Sequence, residues 1–557
     1  MHVWNRILLA GLLGLTPVAS ASSDPPRLIL QITVDGLRYD LLTRSADRYG
    51  EGGLRLLLDQ GAVFANAHYQ HANTETIVGH ATLATGAHPS LHGMIGNVWY
   101  DAETQELAYN IEDPDHPIVP VREETITGEQ LDPSQRLART NGRSPRAMLA
   151  ETLADKLLSY TGGKAKVYGI SGKDRSAVAM AGQGGKAYWY STDSGDFVTS
   201  TWYHDAYPDW IASWNAQRRV DQYENAEWTL LHDTSTYKLA HQDDRPYETD
   251  LRGYGRTFPH RFGTIESKLL YTQLLVSPVG DQLLVNFAKH LVANENIGQD
   301  DIPDYLAISF SAVDAVNHIF GPSSLENEDV VRQLDRTLAD LLAFIDEEVG
   351  LDKTLIVLSA DHGMPEAPEY MAERGFATGR LTPDVILDVV NRVAKEQFGL
   401  DDVVRFYFRP YVYLKSERII EAGRDPVAVR EALAEALTRQ PGIYLAATKL
   451  SAELLPDSNV LELIRNNYHA ARAGDIYIVQ EPYWFNYEQG PVAVMHGSPW
   501  NYDTHVPVIF LGPGIPSGVV QRAVQPADVA PTIAALLGMS PPASAQGTVL
   551  TEVFGTP

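Results

Sequence analysis

Four short, largely apolar runs constrain the fold of this chain more than any other feature. They cover residues 28–34 (LILQITV), 166–170 (KVYGI), 305–311 (YLAISFS) and 354–358 (TLIVL). Runs of this length are typical of parallel strands that are buried on both faces, and stretches with helical spacing separate them. The pattern therefore predicts an α/β fold with a mostly parallel central sheet.

Polar residues follow these runs at once. Asp35 comes directly after the first run, Asp314 and His318 follow the third run one helical turn apart, and Asp361 and His362 follow the fourth. In open α/β sheets, ligands bind at the carboxyl ends of the strands, and residues i and i+4 of a helix share a face. We interpret these side chains as candidate metal ligands, although Asp35 with its following glycine is also a common turn sequence.

A stretch rich in Thr, Gly and His lies between the first two runs. It covers residues 73–97 (NTETIVGHATLATGAHPSLHGMIGN) and has no clean helical or strand period. The stretch predicts a loop that enters a short helix. A threonine at a helix N-terminus can present its hydroxyl where free N–H groups and the helix dipole favour an anion, and we place Thr76 there. The alternative is that Thr74 or Thr76 only caps the helix.

Two further segments carry candidate site residues. Lys173 and Arg175 follow the second run and are candidates for holding an oxyanion, since Arg offers a planar fork and Lys a point charge. The alternative is a solvated turn with Asp174 as an internal partner. His496 opens a late His-Gly segment that also contains His505. In all, the chain offers six carboxylate and imidazole ligands and one hydroxyl nucleophile, the set that a two-metal phosphoryl-transfer site needs.

Composition narrows the compartment and the partners. The 44 Lys+Arg against 71 Asp+Glu give a net charge of −27, which argues against duplex nucleic acid because like charges repel. The chain has no cysteine, so thiolate is neither a ligand nor a nucleophile. Residues 1–21 have the apolar core and small-residue end of a signal peptide. No other apolar run approaches the roughly 20 residues of a membrane-spanning helix. We expect a periplasmic or secreted protein without a membrane span.

The order of the segments predicts a core with two insertions. After the signal peptide, the core is expected at residues 22–180, 301–365 and 474–557. Residues 181–300 are rich in Trp and Tyr and are expected to form a cap insertion. Residues 366–473 show a helix–strand–helix–strand pattern that predicts an inserted αβαβ lid or side layer, with strands at 404–414 and 443–450. The core is expected to resume with a strand at 475–479.

Seven motifs extend over nearly the whole mature chain. They are TVDG at Asp35, TIVGH at Thr76, GMIGN ending at Asn97, KDR from Lys173 to Arg175, SAVDAVNHIFGP with Asp314 and His318, SADHG with Asp361 and His362, and MHGSPWNYDTHVP with His496. In this combination the sequence resembles the alkaline phosphatase superfamily, and within it the secreted PafA/PhoK-type alkaline phosphatases that use a threonine nucleophile. The resemblance implies a three-layer α/β/α core with inserted cap or lid subdomains.

The resemblance also implies a role for each matching residue. One zinc ion would be held by Asp314, His318 and His496. A second would be held by Asp35, Asp361 and His362, with Thr76 beside it as the nucleophile. The phosphoryl oxygens would be held by Asn97, Lys173 and Arg175. The His-Gly context favours His496 over His505 as the ligand.

The implied activity is hydrolysis of phosphate monoesters to an alcohol and inorganic phosphate, through a phospho-threonine, with two Zn²⁺ per chain. Nitrogen and oxygen donors also suit manganese, iron or cobalt. We expect inorganic phosphate to inhibit as the product, and the protein to be a monomer or a homodimer.

Other functions are weighed against this one. Sulfatases need a Cys or Ser in a C/S-x-P-x-R context; the chain has no Cys, and none of the seven motifs contains such a Ser. Nucleotide pyrophosphatase/phosphodiesterases share the six ligands, the Thr and the Asn, but typically lack the Lys-x-Arg pair. The pair therefore favours monoesters, and these phosphodiesterases are the main alternative. A non-catalytic metal- or phosphate-binding protein would be expected to have lost one of these groups, most simply the hydroxyl.

Overall fold

The strands of the chain are two to seven residues long. The computed structural model describes residues 25–121, 132, 134–267, 269–455, 458–487 and 492–555. Within these residues the strands are Leu28–Val34 (β1), Ala62–His68 (β2), Val98–Asp101 (β3), Glu106–Tyr109 (β4), Glu112–Pro117 (β5), Gly142–Arg143 (β6), Val167–Ser171 (β7), Lys186–Tyr190 (β8), Phe197–Val198 (β9), Glu227–Trp228 (β10), His260–Arg261 (β11), Asp304–Phe310 (β12), Thr354–Ser359 (β13), Arg380–Leu381 (β14), Val404–Phe408 (β15), Tyr411–Leu414 (β16), Ile443–Ala447 (β17), Ile476–Gln480 (β18), Phe485–Asn486 (β19), His505–Leu511 (β20) and Gly518–Val520 (β21). The predicted signal peptide, residues 1–21, lies outside the described residues.

The α-helices separate these strands. They are Tyr39–Arg44 (α1), Leu54–Gln60 (α2), Thr76–Thr85 (α3), Pro89–His92 (α4), Leu153–Tyr160 (α5), Asp174–Ala181 (α6), Asp209–Ala216 (α7), Leu270–Leu275 (α8), Pro278–Glu295 (α9), Ala312–Phe320 (α10), Leu325–Glu348 (α11), Pro368–Ala372 (α12), Pro383–Phe398 (α13), Ser416–Glu421 (α14), Pro426–Thr438 (α15), Lys449–Leu454 (α16), Asn459–Asn467 (α17), Asn501–Thr504 (α18) and Val529–Leu536 (α19). None of the helices in the described part of the chain combines the length and the apolar composition needed to cross a bilayer.

Nine of the described strands form the central sheet, in the order β21-β2-β20-β13-β1-β12-β7-β8-β9. Its middle is parallel: β1 pairs with β12 and β13, and β7 pairs with β12 and β8. Antiparallel pairing is confined to the joins of β20 with β13 and β2, and of β9 with β8. The four apolar runs are β1, β7, β12 and β13, so the mostly parallel sheet is confirmed.

Both faces of this sheet are covered. Alternate residues of β1 point to opposite faces: Leu28, Leu30 and Ile32 belong to one apolar core, and Ile29 belongs to the other. The first core also takes side chains from α9, α10 and α11, and the second takes them from α5 and α19. All seven residues of β1 are buried because helices cover both faces. The predicted three-layer α/β/α core is confirmed.

Helix α3 is buried on every side. All ten of its residues are buried, which explains why its sequence shows no apolar stripe. It approaches the sheet closely at Gly79, where a Cβ atom would lie 1.8 Å from the backbone oxygen of Asp361. Glycine at this position therefore lets the helix that begins at Thr76 lie against the end of β13.

Part of the predicted cap belongs to the central sheet. Strands β8 and β9 lie within the region expected as a cap, and they extend that sheet at one edge. Tyr188, Phe197 and Trp214 pack into the first core, and the rings of Phe197 and Phe287 stack at 4.1 Å between centroids. The aromatic residues of this region therefore serve packing to a large extent.

A second, four-stranded sheet has the order β15-β16-β18-β17, and α13 and α15 pack on it. Two expectations about strands were wrong here. The single strand expected at 404–414 is a hairpin, β15 and β16, whose turn contains Pro410, a residue without the N–H that a continuous ladder needs. The strand expected to resume the core at 475–479 is β18, which pairs with β16 and β17. A short apolar run has the same pattern in either sheet, so the sequence could not assign it.

Candidate active site

The candidate site lies where the parallel strands end. Asp35 directly follows β1, and Asp361 lies two residues beyond β13. Asp314 is on the first turn of α10, directly after β12, and Lys173 immediately precedes α6, after β7. Because these strands are parallel neighbours, their carboxyl ends bring the four side chains to one edge of the sheet.

One group of candidate ligands consists of Asp314, His318 and His496, whose ligand atoms lie within 4.8 Å of one another. The Nε2 atoms of His318 and His496 lie 3.3 and 3.8 Å from Asp314 Oδ1. The other nitrogen of each ring is within hydrogen-bond distance of a backbone oxygen. His318 Nδ1 is 2.9 Å from the Val494 oxygen, and His496 Nδ1 is 2.7 Å from the Thr74 oxygen. A backbone carbonyl at Nδ1 fixes the tautomer that leaves Nε2 available to a metal.

A second group consists of Asp35, Asp314 and His362, so Asp314 belongs to both groups. His362 Nε2 lies 3.2 Å from Asp35 Oδ1, and its Nδ1 lies 2.8 Å from the Gly363 oxygen. The resemblance had implied Asp361 for this group. The Oδ2 atom of Asp361 lies 3.4 Å from His362 Nε2 and 3.2 Å from His80 Nδ1, next to the group that contains Asp35.

Buried side-chain oxygen and nitrogen atoms without a hydrogen bond converge here. They are both carboxylate oxygens of Asp35, Oδ1 of Asp314, Oδ2 of Asp361 and Nε2 of His362. Lys173 compensates part of this charge, since its Nζ lies 2.7 Å from Asp35 Oδ2 and 2.5 Å from Asp314 Oδ2. Buried carboxylates are costly unless they are paired or bind a cation. The donor set therefore fits a metal site with nitrogen and oxygen ligands.

The electrostatic field of the cluster favours positive charge. Burial raises the pKa of Asp35, and the negative charges of Asp314 and Asp361 raise it further. Burial alone would lower the pKa of His362, but Asp361 and Asp35 raise it to about 9. In the same way the pKa of Lys173 is raised, because Asp314 and Asp35 outweigh the effect of burial.

Thr76 is the first residue of α3, and Glu75 is its N-cap residue. The alternative in which Thr74 or Thr76 caps the helix is therefore wrong. The hydroxyl of Thr74 donates to the Ser498 oxygen at 2.9 Å. The hydroxyl of Thr76 instead accepts a hydrogen bond from Arg175 Nη2 at 3.2 Å, which leaves the buried oxygen beside a cation and a helix N-terminus.

Asn97, Lys173 and Arg175 share one cavity. It has a volume of about 100 Å³ and is also lined by Asp314, His318 and His496. Lys173 is 9% exposed and Arg175 is 3% exposed, so the solvated-turn alternative is wrong. Arg175 forms an ion pair with Asp132, in which Nη1 and Oδ2 are 2.6 Å apart.

The sequence did not identify several residues that support these groups. Asp174 pairs with Arg143 at 2.7 Å and accepts a hydrogen bond from the Tyr109 hydroxyl at 2.7 Å. Asp132 and Glu75 contact the site from loops, and only Glu75 carried a signal, since it precedes Thr76. The other contacts join residues far apart in the chain, and no spacing within the sequence predicts them.

The late segment brings one of its two histidines to the site. His496 is in the Asp314 group, whereas His505 Nε2 lies 2.9 Å from the Ala65 oxygen. The His505 ring stacks on His68 at 4.5 Å between centroids. The structure thus brings His496, and not His505, next to Asp314.

A mostly parallel sheet covered on both faces, with buried acids and histidines at its strand ends beside a threonine, defines a metal-dependent hydrolase of the alkaline phosphatase superfamily. More particularly, the sequence model of the family described as "Type I phosphodiesterase / nucleotide pyrophosphatase" matches residues 29–499, and the chain belongs to that family. The family and the enzyme class predicted from the sequence are confirmed.

Several relatives cover almost the whole chain. A "Calcium-transporting ATPase" of Myroides odoratus is 32% identical over 546 residues, 96% of each chain. "Alkaline phosphatase PhoV" of Synechococcus elongatus is 32% identical over 537 residues, 95% of this chain and 93% of the relative. The crystal structure of wild-type alkaline phosphatase PafA superposes with a TM-score of 0.86 at 29% identity, and the match covers 96% of this chain and 100% of that one.

We predict that replacement of His496 removes metal and that replacement of His505 does not. His496→Ala deletes a nitrogen next to Asp314, whereas His505→Ala deletes a contact with the Ala65 oxygen and the stacking on His68. Metal bound per chain after dialysis is measured by inductively coupled plasma mass spectrometry, with the melting temperature as the control for folding. A loss confined to His505→Ala would contradict the assignment.

Proposed function

We propose that the chain is an alkaline phosphatase that hydrolyses phosphate monoesters through a phospho-threonine at Thr76, with two Zn²⁺ ions. The observation that carries the proposal is the Arg175–Thr76 contact at 3.2 Å in a cavity lined by the candidate metal ligands. Relatives named alkaline phosphatase support the activity. The reaction class therefore rests on the site and on the family together.

The residues of the site fit two metal ions. Asp314, His318 and His496 would hold one, and Asp35, Asp361 and His362 would hold the other. Bound there, the ions would lower the pKa of a hydroxyl and stabilise the attacking and leaving oxygens of an in-line displacement. The donors are nitrogen and oxygen only, which suits zinc, and manganese, iron and cobalt accept the same donors.

The protein residues perform the two displacements as follows. The Thr76 oxygen attacks phosphorus and the ester P–O bond breaks; the hydroxyl gives up one proton to solvent, and the leaving alkoxide takes up one proton to become the alcohol. Water then attacks phosphorus of the phospho-threonine and the bond from phosphorus to the Thr76 oxygen breaks; inorganic phosphate leaves, and one proton from the water restores the hydroxyl. Arg175 lies next to the Thr76 oxygen, which supports its assignment to a phosphoryl oxygen in both steps. Lys173 and Asn97 line the same cavity and are assigned to the remaining oxygens.

The charge of the cavity favours monoesters over diesters. A monoester has two negative charges and three non-bridging oxygens, and a diester has one charge and two such oxygens. Arg175 and Lys173 add two positive charges, so they attract the monoester more strongly. Phosphodiesterase activity is the second candidate function, because the matching family is described by it. A non-catalytic binding protein is disfavoured because the hydroxyl is present.

The proposed function also bears on the molecules that the protein binds and on its location. Inorganic phosphate should inhibit, since the product uses the cation pair of the substrate. The net charge of −27 disfavours duplex nucleic acid. We also propose export to the periplasm or the medium, on the basis of the apolar N-terminal sequence. A monomer or a homodimer remains the expected oligomeric state.

We predict that Thr76→Ala abolishes turnover while metal and fold persist. Removal of the nucleophile should lower kcat/KM for an aryl phosphate monoester by about 10³-fold or more, and Thr76→Ser should keep appreciable activity because the hydroxyl survives. Thr85→Ala is a matched control, since Thr85 lies on the same helix and donates to the Ala81 oxygen. Near-normal turnover by Thr76→Ala would refute the nucleophile.

We predict that Lys173→Ala with Arg175→Ala lowers monoester kcat/KM far more than diester kcat/KM. Hydrogen bonds to charged groups contribute roughly 1.5–3 kcal/mol each, so the pair can bias the choice by a few powers of ten. Inhibition by inorganic phosphate should weaken in the same variant. Because Lys173 also contacts Asp35 and Asp314, metal content is measured alongside. Equal losses on both substrates would show that the pair is structural.

A further inference from the structure

Arg409 reaches the site from the four-stranded sheet. It lies in the turn between β15 and β16, is 6% exposed, and lines the same cavity as Arg175. Its Nη1 donates to the backbone oxygen of His496 at 2.7 Å, and its Nη2 lies 3.3 Å from Glu75 Oε1. One guanidinium thus contacts the residue before the nucleophile and the backbone of a candidate metal ligand.

Glu75 extends this contact to Asn97. Its Oε2 accepts the backbone N–H of Asn97 at 2.6 Å and an N–H of Asn73 at 3.3 Å. The Oδ1 atom of Asn97 in turn accepts the N–H of Ile77 at 3.3 Å. Because Oδ1 already accepts this hydrogen bond, the amide nitrogen of Asn97 is the atom that can donate a hydrogen bond to a ligand in the cavity.

Burial of the Arg409–Glu75 ion pair costs desolvation free energy, which only close polar contacts can offset. Glu75 is 1% exposed and is next to Thr76, so its carboxylate is a buried negative charge at the site proposed for a phosphate dianion. Two buried ions are desolvated at high cost, which close contacts must offset. Arg409 neutralises this carboxylate and keeps it directed at Asn97.

Gly497 leaves room for the guanidinium. Its φ of +113° is unfavourable for other residues, and a Cβ atom there would lie 2.5 Å from Arg409 Nη1. The glycine after His496 therefore has a steric role in addition to a conformational one. The late His-Gly segment and the β15–β16 turn fit together around Arg409.

We propose that Arg409 is a positioning residue by which the four-stranded sheet orients Asn97, through Glu75, for binding phosphoryl oxygens. The proposal rests on the proposed function, because it concerns how the same site holds phosphate. Arg409 acts through another residue and does not itself enter the reaction. The alternative is that Arg409 only stabilises the junction between the two sheets.

A double-mutant cycle between Arg409 and Asn97 tests the proposal. Arg409→Ala and Asn97→Ala should each lower kcat/KM for a phosphate monoester by about ten- to a hundredfold. Since both act on one contact, the double variant should lose no more than about threefold beyond the larger single loss. The dissociation constant of inorganic phosphate, measured by calorimetry on metal-loaded protein, should follow the same pattern. Losses that multiply would overturn the proposal.

Further variants separate positioning from folding. Arg405→Ala is the matched control, since Arg405 lies on the same hairpin and pairs with Glu417 away from the site, and it should stay within about twofold of wild type. Arg409→Ala with Glu75→Gln should recover part of the loss, because the uncompensated carboxylate is gone. Gly497→Ala should weaken phosphate binding like Arg409→Ala. If excess metal restored the full activity of Arg409→Ala, the proposal that Arg409 acts through Glu75 and Asn97 would be overturned.

The outcome for the proposed function is separable. If wild type turned over diesters and no monoesters, the proposed function would fail, and the cycle would be measured on the diester instead. Non-additive losses there would still support the positioning role, and multiplicative losses would overturn it.

Discussion

The convergence of Asp35, Asp314 and Asp361 at one edge of the sheet is the constraint on which the rest of the structure depends. All three carboxylates are fully buried, and several of their oxygens make no hydrogen bond. Such a cluster is stable only with positive charge beside it. Lys173 supplies one such charge, and the imidazoles of His318, His362 and His496 face the same space with their rear nitrogens held by backbone carbonyls.

The fold brings this cluster of charges next to Thr76. Parallel strands bring the carboxylates together at their ends, and Gly79 lets α3 approach close enough for Thr76 to lie at the same edge. Arg175 contacts Thr76, the proposed nucleophile, and lines the cavity proposed to bind phosphate. The family includes enzymes described as phosphodiesterases. In our proposal, the cations Lys173 and Arg175 decide between monoesters and diesters.

Much of the central sheet and of the candidate site was predictable from the sequence, for physical reasons. Strands buried on both faces must be apolar throughout, so β1, β7, β12 and β13 were recognisable, and the residues that follow them were identified by position alone. The assignment of β18 failed because a short apolar run does not show which sheet it joins. The ion pairs of Arg409 and Asp132 could not be predicted, because their partners, Glu75 and Arg175, are distant in the chain.

The central claim is that Thr76 carries the phosphoryl group during turnover. Metal-loaded protein is mixed with an excess of a phosphate monoester, quenched in acid within the first turnovers, digested and analysed by mass spectrometry. The account predicts a phosphate on Thr76 in the wild type, absent without substrate and absent in Thr76→Ala. Rapid turnover with no covalent phosphate on the chain, or with phosphate on another residue, would contradict it.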